Sequence, residues 1–391
     1  MSKPLILKIT VLLISTLTIM AGTPVSPVLP KIAVGFAGEA NAELLSRLVL
    51  TMPALFTVFG APLAGIIADR YGRKPLALAS LALYAVAGTS GFFADTLQQI
   101  LLGRALLGLA VGGCTTSAMA LITDYYQGDE RVRLLGIQGA CITGGGVLFI
   151  GLGGFLAELG WRFPFLLYLA GALVLGLAAL VLHEPERPAQ TLEEKAGNGL
   201  PFGFLAVIYG IALVGNTCFF TVPVQMPFYL QGDFAVGGIG TGLILALATL
   251  FASATGFQYG RIRHRLSYGG ILTLMFALMG CSYLVVGFAT TLWVLVAGLC
   301  LSGVAAGMLF PCVNNWVSDI TSRHNRGRAF GVVGTSLYLG QFIAPVVTAP
   351  LIARFPYGPF FAMLGAFLLV MAVTVRLAAG ALDRHTRRLA T

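Results

Sequence analysis

Gly65-Ile66-Ile67-Ala68-Asp69-Arg70-Tyr71-Gly72-Arg73-Lys74-Pro75 is a short charged stretch joining two apolar runs, at 48–68 and 76–94. Each run is about as long as the ~20 apolar residues that a membrane-spanning helix needs. The polar residues between them leave room for a tight turn, which Gly72 permits. The stretch therefore reads as the turn of a helical hairpin that crosses a membrane twice.

The same pattern fills the chain. Apolar segments run approximately over 9–30, 48–68, 76–94, 99–123, 134–157, 163–182, 203–230, 237–259, 269–288, 291–318, 329–353 and 358–375. Most are too long for strands and lack the alternation of a barrel. A backbone in lipid must satisfy its own hydrogen bonds, which leaves helices. Composition agrees: 57% of the 391 residues are hydrophobic and 10% are charged, against about 25% charged in soluble domains. Mean hydropathy is +0.89. The fold class expected is an all-α polytopic membrane protein with twelve transmembrane helices. The first run follows Lys3 and Lys8 and reaches Pro30 without a convincing small-residue cleavage site, so it is read as a retained span and not as a signal peptide.

Lysine and arginine set the orientation. With the N-terminus cytoplasmic, 19 of the 24 basic residues fall on the cytoplasmic side. Lys31, Arg47, Arg162 and Arg354 fall outside, and Arg104 lies within a span. Both termini are thus expected in the cytoplasm of a cell with a bacterial-type inner membrane. The net charge of +9 is explained by these loops; no basic cluster with interleaved aromatics suggests nucleic acid. The six cysteines lie in apolar stretches without a C-x-x-C pair, and the four histidines lie in polar connections without ligand spacing. Neither a metal, a disulfide framework nor a cofactor is expected.

One polar connector of any length, 183–201, carries Glu184, Glu186, Glu193, Glu194 and Lys195. It divides the chain into a six-helix bundle at 1–182, a cytoplasmic linker, and a second six-helix bundle at 202–391. The halves align at a constant offset of 195 residues. Gly65 and Arg70 match Gly260 and Arg265; Gly103, Gly108 and Gly112 match Gly298, Gly303 and Gly307; Asp124 matches Asp319; Pro164-Phe165 matches Pro359-Phe360. Shared glycine, arginine and aspartate punctuation in one register reads as a repeat related by pseudo-two-fold symmetry, with a substrate site between the halves.

The 65–75 stretch resembles the signature loop of the major facilitator superfamily, G-x-x-x-D-R-x-G-R-[RK]. That resemblance implies a cytoplasmic latch of Gly65, Asp69, Arg70, Gly72 and Arg73, with Arg73 paired to Asp124 at the end of the fourth segment. Gly65 is expected to allow close helix approach. In the second half His264, Ser267 and Tyr268 stand opposite Asp69, Gly72 and Arg73, so only Gly260 and Arg265 survive and a second latch is in question. Arg104 to Gly112 resembles the family's R-x-x-x-G-x-x-x-G segment. An intramembrane arginine is a functional candidate, with snorkelling toward the outer surface and Asp95 as partner the alternative reading. The fifth segment holds Gly139, Gly144, Gly145, Gly146, Gly151, Gly153 and Gly154. It resembles the glycine-rich motif of drug:proton antiporters, but Phe149 and Ile150 replace its central glycine and proline. Gly160-Trp161-Arg162-Phe163-Pro164-Phe165 is similar to a stretch of the same group.

The resemblance implies a secondary transporter that exports small amphipathic organic compounds by proton antiport through alternating access, working as a monomer. The alternatives are a dedicated metabolite or siderophore exporter, an importer or a facilitator without proton coupling. A membrane sensor or enzyme is disfavoured, since no nucleophile motif or phosphate loop is present. No Asp or Glu lies within a span, so coupling candidates are Arg104, Asp95, Asp124 and Glu43. The same absence argues against a strongly cationic substrate. Substrate-cavity candidates are Thr18, Thr23, Thr116, Gln138 and Thr143 in the first half. In the second they are Asn216, Phe220, Gln225, Asn315, Trp316, Tyr338 and Gln341. Pro24, Pro27, Pro223, Pro227, Pro311 and Pro345 are expected to bend helices.

Overall fold

The computed structural model describes residues 3–185, 202–321 and 325–390. Among them are twelve helices long and apolar enough to cross a membrane, and no strand. They are α1 (Leu5–Gly35), α2 (Ala42–Tyr71), α3 (Arg73–Phe93), α4 (Leu97–Tyr125), α5 (Gly128–Leu159) and α6 (Phe163–Val181). Then follow α7 (Gly203–Gly232), α8 (Gly238–Arg265), α9 (Tyr268–Gly287), α10 (Leu292–Ile320), α11 (Gly327–Ile352) and α12 (Tyr357–Arg384). The linker read at 183–201 lies outside the described residues from 186 onward.

Turn chemistry explains how helices this long are joined so tightly. Gly72 alone separates α2 from α3, at a φ of 106° that only glycine adopts without strain. Gly160 ends α5 in the same way. Thr96 and Ser267 cap α4 and α9, accepting from Gln99 N and Gly270 N. Many large side chains left on the outside are apolar, with Leu180, Trp293 and Leu377 among the most exposed of these. Such a surface is stable only against lipid.

α1 is not one helix. It is α-helical to Met20, turns through Ala21 and Gly22, runs as a 3-10 helix over Thr23–Val28 and resumes at Leu29–Gly35. Pro24, Pro27 and Pro30 supply no N–H to the preceding turn, which explains the change of helix type.

The described residues form two compact units: 1–189 with 223–246, and 190–222 with 247–391. The boundaries fall inside α7 and α8, so residues 223–246 pack with the first six helices. In the first unit α4 lies directly on α2: a methyl at Gly108 would stand 2.3 Å from Pro53 O, and one at Gly112 2.6 Å from Ala61 N. In the second unit a methyl at Gly303 would stand 2.2 Å from Ala248 O. Ala248 is the 195-residue counterpart of Pro53, as Gly303 is of Gly108. Likewise, a methyl at Gly103 would meet Ala87 O at 3.1 Å, and one at Gly298 would meet Ser282 O at 3.2 Å. The punctuation shared by the two halves is thus a set of shared backbone contacts.

Candidate functional site

At the end of the first unit that carries the 65–75 loop, Arg73 gathers the charge. Its Nε donates to Asp124 Oδ2 at 3.2 Å, and its Nη1 to Asp69 Oδ1 at 3.2 Å and Ala68 O at 3.0 Å. Arg70 points elsewhere, over the ring of Tyr71 at 5.4 Å. Gly65 makes no close helix approach; a methyl there would meet open space. Its recurrence in both halves therefore has no packing reason in this structure.

Glu184, just past α6, completes this arrangement and was not singled out from the sequence. Its two carboxylate oxygens accept from the backbone N–H groups of Arg73 and Lys74 at 2.6 and 2.8 Å. An anion on the free N–H groups of a helix N-terminus is favourable. A methyl at Gly72 would stand 2.5 Å from Glu184 Oε1. Gly72 is thus needed for its φ and for this approach together. The available signal was an acid at the start of the polar connector, two residues beyond the sixth apolar segment.

The two carboxylates around Arg73 are not equivalent. Asp124 is 21% exposed and Asp69 78% exposed, and exposed ion pairs contribute little. Asp124→Asn is expected to lower the transport rate about tenfold and Asp69→Asn by no more than about twofold. Initial-rate measurements on both variants check this, and the reverse order would overturn it.

Deeper in the first unit, Arg104 of α4 is 1% exposed. Its Nε donates to Val49 O at 2.7 Å and its Nη1 to Tyr168 Oη at 2.6 Å. Its Nη2 donates to Ala21 O, which also accepts from Tyr168 Oη at 2.9 Å. Both carbonyls have lost their helical partners. Val49 O would meet the N–H of residue 53, which is proline. Ala21 O would meet that of Val25, which instead donates to Gly22 O at the break in α1. Leu17 O, one turn earlier, takes the hydroxyl of Tyr84 at 2.8 Å. Arg104 therefore pins α4 to the two places where proline has loosened α1 and α2. It does not snorkel to the surface, and Asp95 is not its partner. Asp95 pairs with Arg162 at 3.3 Å. Among the described residues no carboxylate forms an ion pair with Arg104.

Further along the first unit, residues of α7 join α1 and α2. Ser26 Oγ donates to Pro223 O at 2.6 Å, a carbonyl whose helical donor would be at Pro227. Arg47, 3% exposed, donates from Nε to Gln225 Oε1 at 2.9 Å and from Nη1 to Glu43 Oε2 at 3.1 Å. Its guanidinium lies 4.5 Å from the ring centre of Phe228. Gln225 and Glu43 thus meet through an arginine that sequence reading had assigned only to topology.

The remaining cavity candidates divide. Gln138 is buried and donates to Ser15 Oγ at 2.7 Å. Thr18, Thr23 and Thr143 bond carbonyls of their own helices, and Thr116 reaches Ala61 O at 3.4 Å. In the second unit Asn216 donates to Leu337 O at 2.5 Å, while its Oδ1 is buried without a partner. Phe220 packs edge-on against Phe219. Tyr338 and Gln341 are half-buried, and Asn315 is exposed. Trp316 is no cavity residue. It is fully buried, stacks on Tyr268 with planes 9° apart, and donates to Thr386 Oγ1 at 2.8 Å.

In α5 the structure separates the glycines. A methyl at Gly145 would meet Thr16 Cγ2 at 2.6 Å, one at Gly153 would meet Pro24 O at 2.1 Å, and one at Gly154 would meet Gly238 O at 2.7 Å. Gly139, Gly144 and Gly151 face open space. The three in close contact are those that match the antiporter motif.

The Major Facilitator Superfamily description matches residues 11–287 and 205–389. Over 349 residues the chain is 28% identical to the class E tetracycline resistance protein of Escherichia coli, covering 83% of this chain and 82% of that one. It is 24% identical over 354 residues to the bacillibactin exporter of Bacillus subtilis (strain 168), covering 84% and 87%. The solved structure of the xylose transporter XylE from E. coli superposes with a TM-score of 0.74 at 14% identity, covering 95% and 94% of the two chains.

Proposed function

This chain belongs to the Major Facilitator Superfamily, and on that premise we propose that it is a secondary transporter that exports small amphipathic organic compounds in exchange for protons. The observation that carries this reading is Arg104: a buried cation that pairs with no carboxylate among the described residues, held on the loosened backbone of α1 and α2. A charge in that setting is costly to keep and is a functional candidate by default. Two of the relatives are by name a resistance protein and an exporter, which supports the outward direction.

Arg104 does not itself release a proton, since guanidinium stays charged in proteins. Its role is electrostatic: its field opposes a second cation nearby and favours an anionic or neutral guest. Proton exchange falls to carboxylates at the ends of the helices. Asp124 at one end and Glu43 at the other are each paired with an arginine here. Separation of either pair would free its carboxylate from the arginine. We place the 65–75 loop, both termini and the linker in the cytoplasm, from the distribution of lysine and arginine, and the protein in a bacterial-type inner membrane as a monomer of two six-helix halves. Asn216, with its unspent amide oxygen, is the polar group favoured for contact with substrate.

The test uses purified protein in proteoliposomes, with tetracycline and bacillibactin as probes and an imposed proton gradient. Gradient-driven movement that a protonophore abolishes supports the proposal. Movement of one probe that ignores the protonophore would replace antiport by facilitated transport. No movement of either probe, with or without the gradient, counts against export of this class of compound.

A further inference from the structure

The second repeat's loop departs from the signature, yet its substitutes occupy the same geometry. Tyr268 stands 195 residues after Arg73, and Asp319 stands 195 after Asp124. Tyr268 Oη donates to Asp319 Oδ2 at 2.5 Å, where in the first repeat Arg73 Nε donates to Asp124 Oδ2 at 3.2 Å. The helix start is rebuilt in parallel. Ser267, at the position of Gly72, caps α9 with its hydroxyl. Gly269 N, at the position of Lys74 N, donates to Asp383 Oδ1 of α12 at 3.4 Å. Lys74 N donates to Glu184 after α6. Asp383 lies one helical turn beyond 379, the counterpart of 184.

Charge is the difference between the two arrangements. Arg73 brings its own, whereas a phenol brings none. Arg263 supplies it instead, with its guanidinium 4.0 Å from the centre of the Tyr268 ring and its Nη1 on Leu266 O at 3.2 Å. A cation over an aromatic face is stabilised by the ring, and an O–H···O⁻ bond is among the stronger hydrogen bonds.

We propose that Tyr268 is the positioning residue of a second latch, in which a phenol–carboxylate bond to Asp319, charge-balanced by Arg263 across the ring, does for the second repeat what Arg73 does for the first. The proposal rests on the transport reading above. The first latch is ionic and the second is a single directional bond.

Three variants test it in proteoliposomes and in lipid nanodiscs. Tyr268→Phe keeps the ring and its stacking on Trp316 and removes only the hydroxyl. Tyr268→Arg discards the ring and restores the first repeat's chemistry. Asp319→Asn removes the acceptor. Tyr268→Phe is expected to lower turnover about tenfold with KM within about twofold, and Tyr268→Arg to recover at least about half the wild-type rate. Adding Asp319→Asn to Tyr268→Phe should cost little more, because both remove one bond. If the ring merely packs, the order reverses, with Phe near wild type and Arg the worse; that order overturns the proposal. Amide hydrogen exchange over 266–270 gives a readout that needs no substrate. Exchange should rise in Tyr268→Phe and fall back in Tyr268→Arg, and unchanged exchange in Tyr268→Phe also overturns it. A wild type that moves neither probe fails the transport reading, while exchange still decides the role of Tyr268.

Discussion

Arg104→Met should leave the protein inserted and folded while transport falls below about one hundredth of wild type. Methionine approximates the length of the arginine stem without its charge. On the stability side two effects oppose each other. Val49 O loses its donor, at a cost of about 1–3 kcal/mol for a buried unsatisfied group. Against that, removing a buried charge that has no counter-ion among the described residues relieves a desolvation penalty of similar or greater size. Ala21 O keeps the Tyr168 hydroxyl at 2.9 Å. The net change in stability should lie within about 2 kcal/mol of zero. Thermal unfolding in detergent and initial transport rates measure the two quantities separately. Arg104→Lys serves as a second comparison. An ammonium keeps the charge but cannot span Val49 O, Ala21 O and the Tyr168 hydroxyl as a planar fork does. Recovery by lysine would assign the effect to charge alone. Failure of lysine would assign it to the pinning of α1 and α2. A methionine variant that transports at a normal rate would reduce Arg104 to a packing residue.

Much of the architecture was legible because lipid imposes it. Apolar length and the absence of water from the bilayer fix helices, and the offset of 195 residues recurs in the structure as matched glycine-to-carbonyl contacts at Gly108 and Gly303. The loop pair of Arg73 with Asp124 was legible through a motif whose residue types state their chemistry. Two kinds of feature were not. Partners chosen by tertiary packing left no local mark: Arg104 is bonded to carbonyls, not to the nearby Asp95, because Pro53 and the break in α1 make those carbonyls available. Proline positions could have been read back four residues at a time to list such carbonyls. Substituted chemistry was the second kind. Tyr268 does not resemble Arg73 as a letter, yet its hydroxyl reaches the equivalent carboxylate. The assignment of Trp316 to a cavity failed for a related reason. Sequence shows an aromatic residue beside Asn315 within a spanning segment, but only the fold shows Tyr268 and Thr386 already in contact with its indole.

Gly153→Ala and Gly144→Ala should act in opposite directions, although both add one methyl to α5. At Gly153 the added carbon would sit 2.1 Å from Pro24 O and 2.6 Å from Pro24 Cα. The obstacle is backbone, in a 3-10 segment whose prolines restrict how far it can shift. α5 would have to move away from α1, opening the contact that carries Gly145 against Thr16 and loosening the carbonyl at Ala21 on which Arg104 rests. Overpacking of this kind costs about 1–3 kcal/mol, and transport should fall by at least about tenfold, since the strained element is the one pinned by the buried arginine. At Gly144 nothing lies within 4 Å of the new methyl. Alanine there removes the helix penalty of glycine, about 1 kcal/mol, so stability should rise slightly with transport unchanged. Unfolding midpoints and transport rates of the two variants decide the matter. Equal effects at the two sites would mean that the glycines of α5 serve helix flexibility in general, and that the approach of Gly153 to Pro24 has no special part in the transport cycle.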